Sequence, residues 1–295
     1  MQNKKIKEKE FKLLPNSGIL SAPVYKGGEQ PDLSKHEIIK LNSNENPLGP
    51  SKLATDALKN SFEFINNYPS SSHEKLRKAI AKVHAINFEN IICGAGSDEL
   101  ISFICQCFCS TNDEVIYTEH GFAMYKISAL LRGANPVKVL ENERVADVDN
   151  ILKSCNNKTK IIFLANPNNP TGTFLDSSKI KYLLDNLPDT VLMVIDGAYA
   201  EYIENFDGGL SFVENYDNLI ILRTFSKIYG LAALRIGWSY SSNSITQILN
   251  RVRGPFNVSS PAIAAATAAV LDCDYTRHCV AENLKNREWL SKQLK

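Results

Sequence analysis

The stretch "LIILRTFSK", residues 219–227, carries four apolar side chains straight into a polar cluster that ends on a lysine. A short unbroken apolar run of this kind is what a strand buried on both faces requires. The pattern occurs three more times: "IICGAGSDE" (91–99), "IIFLANPNNPTG" (161–172) and "VLMVIDGAY" (191–199) each release polar residues where the apolar run stops. Segments of helical period lie between them, so the chain reads as α/β, with a mostly parallel sheet and helices on both faces. Ligands of such sheets bind beyond the carboxyl ends of the strands, and the four clusters are therefore expected to share one crevice.

Working outward, strands are expected at 91–93, 114–117, 137–140, 160–165, 191–196, 219–223 and 236–240. Helices are expected at 52–62, 97–109, 124–131, 178–184, 244–251, 261–271 and 280–294, and "SSHE" (71–74) reads as a capping box opening another that runs through Val83. No internal repeat is present.

Composition sets limits on partners. The 295 residues carry 33 basic and 32 acidic side chains, a formal charge of +1, which argues against nucleic acid or an anionic membrane surface as a partner. No 18-residue apolar run predicts a membrane span. The basic run "NKKIKEKE" (3–10) lacks a following apolar segment and reads as a solvated N-terminal arm. Seven cysteines, mostly within apolar segments, point to free thiols in a reducing cytosol. The run "CQCFC" (105–109) has no nearby His or CxxC pattern, so no metal is expected.

Each polar cluster has an ordinary reading: "GAGSDE" as a strand-to-helix turn, "NPNNPTG" as a stiffened loop, Asp196 as a cap and Lys227 as a snorkelling surface lysine. Together they suit a phosphorylated aromatic aldehyde with a basic ring nitrogen. Lys227, desolvated in an apolar pocket, would form a Schiff base with the aldehyde. Asp196 would keep the ring nitrogen protonated, and Asn169 with Tyr199 would meet a ring hydroxyl. The backbone N–H groups of Gly96, Ser97 and Asp98, at a helix start, would bind the phosphate with the hydroxyls of Thr224 and Ser226 and the guanidinium of Arg235. The Asp98 carboxylate would repel that phosphate unless it turns to another donor.

The stretches "LNSNENPLGPS" (41–51), "YPSSSHEKLRKAIA" (68–81), "GAGSDELI" (94–101), "HGFAMYKISA" (120–129), "NPNNPTG" (166–172), "DGAYAEY" (196–202) and "TFSKIYGLAALRIGW" (224–238) occur in one order. In that order they resemble the fold type I pyridoxal-phosphate aminotransferases of the aspartate aminotransferase superfamily, and most of all the histidinol-phosphate aminotransferases. The resemblance implies pyridoxal 5'-phosphate as cofactor and ping-pong transamination between histidinol phosphate and 2-oxoglutarate in histidine biosynthesis. Aromatic amino acids as donors, or a same-fold decarboxylase, stand as alternatives. A cofactor-binding but catalytically idle protein is a third reading.

Residue by residue, the resemblance implies Lys227, Asp196 and Tyr199 as catalytic, Phe122 stacked on the cofactor ring, and Tyr25 and Asn46 touching substrate. Tyr68 would reach the cofactor phosphate of a neighbouring subunit in a homodimer. It also implies three regions: an arm and part of a small domain (1–40), a large cofactor-binding domain (41–252) and the start of a small C-terminal domain (253–295). Two departures stand out. Gly197 replaces the acidic residue of the family's D-E-A-Y, and the arginine that such enzymes place in a later sheet has no counterpart, so the small domain is expected to be truncated.

Overall fold

The computed structural model describes residues 14–25, 27–28 and 39–294. The basic arm at 3–10 and most of the region assigned to 1–40 lie outside the described residues. The core is a seven-stranded sheet of β1 (Ile91–Gly94), β2 (Glu114–Thr118), β3 (Asn135–Val139), β4 (Thr159–Ala165), β5 (Leu192–Asp196), β6 (Leu219–Thr224) and β7 (Gly237–Ser241). Its order is β1-β7-β6-β5-β4-β2-β3. Only β7 runs against its neighbours, and it lies between β6 and β1, so β1 regains the direction of the parallel strands.

The central strands β4, β5 and β6 are mostly apolar because each of their faces meets helices. Ile162, Leu164, Met193, Ile195 and Ile221 turn to one side, with α2 (Glu74–His84), α6 (Ser177–Asn186) and α8 (Ser260–Leu271) packed there. Ile161, Phe163, Leu192, Val194, Ile220 and Leu222 turn to the other, against α3 (Ser97–Phe108), α4 (Ala123–Leu131) and α7 (Asn243–Val252). Alternation within an apolar run therefore feeds two cores, and each fully buried Ile or Leu contributes about 1.5–3 kcal/mol. Two further helices pack at this side: α1 (Lys52–Ser61) against α8, and the 21-residue α9 (Cys273–Gln293) against α8 and the turn at Ala200–Tyr202.

Four expectations need correction. The capping box at 71–74 does not form: His73 sits at the N-cap of α2 with φ 51°, and no side chain accepts a bond there. A short helix, α5 (Val148–Ser154), was not expected; Asp147 caps it by accepting from the amides of Asp149 and Asn150 at 3.0 Å each. The last helix starts at Cys273 rather than 280, because Asp272 accepts from the Tyr275 amide at 3.2 Å and caps it earlier. The strand expected at 137–140 runs Asn135–Val139 instead, and Pro136 inside it is tolerated because β3 pairs on one side only, as an edge strand. Among the described residues, no helix is long and apolar enough to cross a membrane.

Candidate active site

Register brings the polar clusters to one edge of the sheet. Ala165, Asp196 and Leu222 stand side by side across β4, β5 and β6, while Thr224, Gly237 and Gly94 do so across β6, β7 and β1. Beyond this edge opens a cavity of about 320 Å³. Lys227, Asp196, Tyr199, Asn169, Ser97, Asp98, Thr224, Ser226, Arg235, Phe122 and Tyr25 all line it, together with the segment 42–45.

Asp196 is the last residue of β5 and is 5% exposed. Its Oδ2 accepts from the Tyr125 hydroxyl at 2.7 Å and its Oδ1 from the Ala198 amide at 3.1 Å. Both donors are neutral. Burial pushes this carboxyl above the usual aspartate range, and the two hydrogen bonds oppose the shift. Lys227 follows β6, and its Nζ donates to the Ser43 carbonyl at 2.9 Å and lies 5.6 Å from the centre of the Tyr199 ring. Burial holds the amine below the ordinary lysine range, against the pull of Glu45 and Asp98. The Tyr199 hydroxyl accepts from the Asn44 amide at 3.0 Å, and burial raises its phenol.

One end of the cavity is built for an anion. Helix α3 begins at Ser97 with no side-chain cap at Gly96, so its first N–H groups have neither an intrahelical acceptor nor a cap. Glu99 does not compete for them: it accepts from the Ala95 amide at 2.7 Å and from Asn257 at 2.6 Å. Arg235, at φ 49°, folds back over Gly96. Its Nη1 donates to Ser226 Oγ at 3.3 Å and to the Ala232 carbonyl at 2.9 Å, and its Nη2 to Asp98 Oδ2 at 3.2 Å. Asp98 has therefore turned to another donor. A Cβ on Gly96 would stand 2.3 Å from Arg235 Nη2, and the φ of +86° is itself strained for other residues, so glycine is required here.

Three expected residues are not brought into the cavity lining. Gly96 stands behind Arg235. Asn46 donates to the Ile228 carbonyl at 2.8 Å and to Cys279 Sγ at 3.4 Å, tying its loop to α9 and to the backbone after Lys227. Tyr68 is 82% exposed and stacks on Phe256 at 4.7 Å. Conversely, Tyr125, Asn44 and Ser43 contact the expected residues directly although none was singled out from the sequence. Tyr125 lies in the first turn of the helix that begins just after Phe122, and its place inside an apolar helix gave no signal that its hydroxyl reaches Asp196.

The sequence profile of aminotransferase class I and II matches residues 36–295. The chain belongs to this family. It is 52% identical over 282 residues to the histidinol-phosphate aminotransferase of Ruegeria sp. (strain TM1040), covering 96% of this chain and 78% of that one. To the enzyme of the same name from Paracoccus denitrificans (strain Pd 1222) it is 44% identical, covering 96% and 77%. Among solved structures it is similar to histidinol-phosphate aminotransferase from Sinorhizobium meliloti in complex with pyridoxal-5'-phosphate. That match has a TM-score of 0.82 and 26% identity, and covers 85% of this chain and 68% of that one. Aspartate aminotransferase from Thermus thermophilus shares the fold at a TM-score of 0.74 and 18% identity. The mostly parallel seven-stranded sheet with its helices is the large-domain architecture of this aminotransferase fold.

Proposed function

We propose that this chain is a pyridoxal 5'-phosphate-dependent aminotransferase that takes its amino group from histidinol phosphate and passes it to 2-oxoglutarate. The observation that supports this most is the convergence, in one cavity, of a half-buried lysine amine, a buried aspartate held only by neutral donors, and an anion site at the start of α3. A flat phosphorylated pyridine aldehyde fits that donor set: phosphate toward Ser97, Asp98, Thr224, Ser226 and Arg235, ring nitrogen toward Asp196, ring hydroxyl toward Asn169 and Tyr199. When bound, the cofactor supplies an aldehyde for covalent attachment of amines and a ring that accepts electron density from the donor's α-carbon.

The protein's own groups do the rest. Lys227 Nζ, with its proton affinity lowered by burial, would take the proton from the donor's α-carbon and deliver it to the cofactor carbon that carried the aldehyde. Asp196 holds a proton on the ring nitrogen. Phe122 would pack on the ring and, with Tyr25, lines one side of the cavity; the two side-chain rings meet edge to face at 6.3 Å. The sequence kinship with named histidinol-phosphate aminotransferases carries the choice of donor. We assign the working form to a homodimer in the cytosol, with Tyr68 reaching the partner's phosphate site. Its exposure, beside the exposed Phe62, Phe64 and Ile65, supports an interface there.

Mixing the cofactor-loaded protein with histidinol phosphate, and no acceptor, tests the reading. One equivalent of oxo product should form, about tenfold or more faster than with phenylalanine. Borohydride reduction should fix the cofactor on residue 227, and Lys227→Ala should lose both results. Preference for phenylalanine would overturn the donor, and release of carbon dioxide would overturn the reaction class.

A further inference from the structure

The carboxylate of Asp196 does not position itself. It stands at a strand end, where its side chain is free to rotate about two bonds, and among the described residues no lysine or arginine donates a hydrogen bond to it. Two donors fix it instead, one on each oxygen. The Ala198 amide belongs to its own turn, whereas the Tyr125 hydroxyl comes from α4 on the neighbouring side of the sheet. Tyr125 is itself held in place. Its ring is 1% exposed, lies parallel to Phe163 with centroids 4.7 Å apart and an interplanar angle of 1°, and meets Phe122 edge-on at 5.9 Å. The hydroxyl is therefore delivered by a rigid stack rather than by a mobile side chain.

We propose that Tyr125 is a positioning residue for catalysis, its hydroxyl fixing the plane and the charge of Asp196 so that the carboxylate meets the cofactor's ring nitrogen as an anion. The inference rests on the proposed function. The physical reason is that a carboxylate in an apolar site loses its hydration and drifts toward the neutral acid unless donors replace that water. Two neutral donors satisfy part of its capacity and leave a lone pair on each oxygen for a ring N–H. A fixed plane also removes the reorganisation that a freely turning carboxylate would need at each turnover. Phe122, the residue that precedes α4, meets the Tyr125 ring edge-on, so the ring assigned to stack on the cofactor and the hydroxyl that orients its counter-ion are in direct contact.

The groups facing Asp196 are Asp98 from α3, Lys227 from the loop after β6, Tyr199 from its own loop, and Tyr125. Burial and the adjacent Asp196 charge keep the Tyr125 phenol well above its ordinary range, so it remains an O–H donor at every pH where the enzyme works.

Tyr125→Phe keeps the stacked ring and deletes the hydroxyl, so it separates positioning from packing. With wild-type protein and pyridoxal phosphate labelled with nitrogen-15 in the ring, the ring nitrogen should give the signal of a protonated pyridine. In Tyr125→Phe that signal should move toward the unprotonated position and titrate at lower pH. Affinity for the cofactor should fall about tenfold and kcat should drop by a similar factor, with KM little changed. In the cofactor-free protein, the carboxylic-acid infrared band that Asp196→Asn abolishes should persist to higher pH in Tyr125→Phe. In an Asp196→Asn background the tyrosine change should have no further effect on the nitrogen signal. An unchanged nitrogen signal and kcat in Tyr125→Phe, with only a lower unfolding temperature, would reduce Tyr125 to a packing residue and overturn the inference. Wild-type protein that binds no pyridoxal phosphate would instead defeat the proposed function.

Discussion

Two acidic residues five positions apart, Asp196 and Glu201, are both withdrawn from water, yet they are held in opposite ways. Glu201 Oε1 lies 3.5 Å from Arg223 Nε, and both side chains are under a tenth exposed. Asp196 accepts only from a phenol and a backbone amide. Burial raises both carboxyls, but at Glu201 a permanent guanidinium opposes the shift, whereas at Asp196 the strongest opposition comes from a neutral hydroxyl. Both carboxyls stand at the wall of a cavity, but Glu201 already has a counter-ion in Arg223, whereas one held by neutral donors is set for a cation that arrives from outside. Structure around the pair agrees. A Cβ on Gly208 would meet Arg223 Nη1 at 1.9 Å, so the backbone is shaped to enclose the arginine.

The sharpest break between the two is isosteric. Asp196→Asn keeps shape and removes the charge, and should lower kcat/KM for transamination by roughly 10²–10³-fold, the scale of losing one preorganised electrostatic contact. Glu201→Gln should leave kcat/KM nearly unchanged. Steady-state rates on the two purified variants check this, and equal losses would erase the distinction.

How far this contrast was legible in the sequence depends on what each residue contacts. Asp196 and Lys227 could be picked out because each stands at or just after an apolar run that only a doubly buried strand explains, and the parallel order of β5 and β6 places those ends together, whereas Arg235 was marked only as a second cation eight positions further on in an apolar stretch. Tyr125 could not: inside "AMYKISALL" an aromatic residue reads as core, and its ring is indeed core, so only coordinates reveal that its hydroxyl reaches Asp196. Asn44 and Asn46 show the same limit within one loop. The family resemblance marked the loop, but backbone conformation decides that Asn44 meets Tyr199 while Asn46 turns to Ile228 and Cys279. The capping box failed for a related reason, since the left-handed φ of His73 takes the hydroxyls of "SSHE" out of capping geometry.

Stability should reverse the ranking seen in catalysis. Arg223→Leu leaves Glu201 buried without its partner and should cost about 3–5 kcal/mol, read from urea unfolding followed by fluorescence. Replacing both, Arg223→Leu with Glu201→Leu, should recover much of that loss, because the desolvation of both charges disappears with them. A cost under about 1 kcal/mol for the single change would mean that water reaches the pair and that it is not closed.

The smallest effect is a pH dependence that only the open carboxylate should share with its ligand. A carboxyl whose proton affinity is raised by folding favours the folded state below the ordinary carboxylate range, and that contribution is lost as pH rises through the elevated value. Asp196 and Glu201 are both raised, so in cofactor-free protein each contributes a loss of stability as pH climbs from about 4 through the weakly acidic range, a component opposed by the buried His73 and His84, whose lowered proton affinity favours the folded state as pH rises. Asp196→Asn should remove part of that slope, and so should saturating pyridoxal phosphate, because a protonated ring nitrogen beside Asp196 restores the charged form. Glu201→Gln should remove its own share whether or not cofactor is present. Thermal unfolding measured across this range, with and without cofactor, separates the two: if the ligand flattens the slope equally in wild type and in Asp196→Asn, its cationic nitrogen is not meeting Asp196.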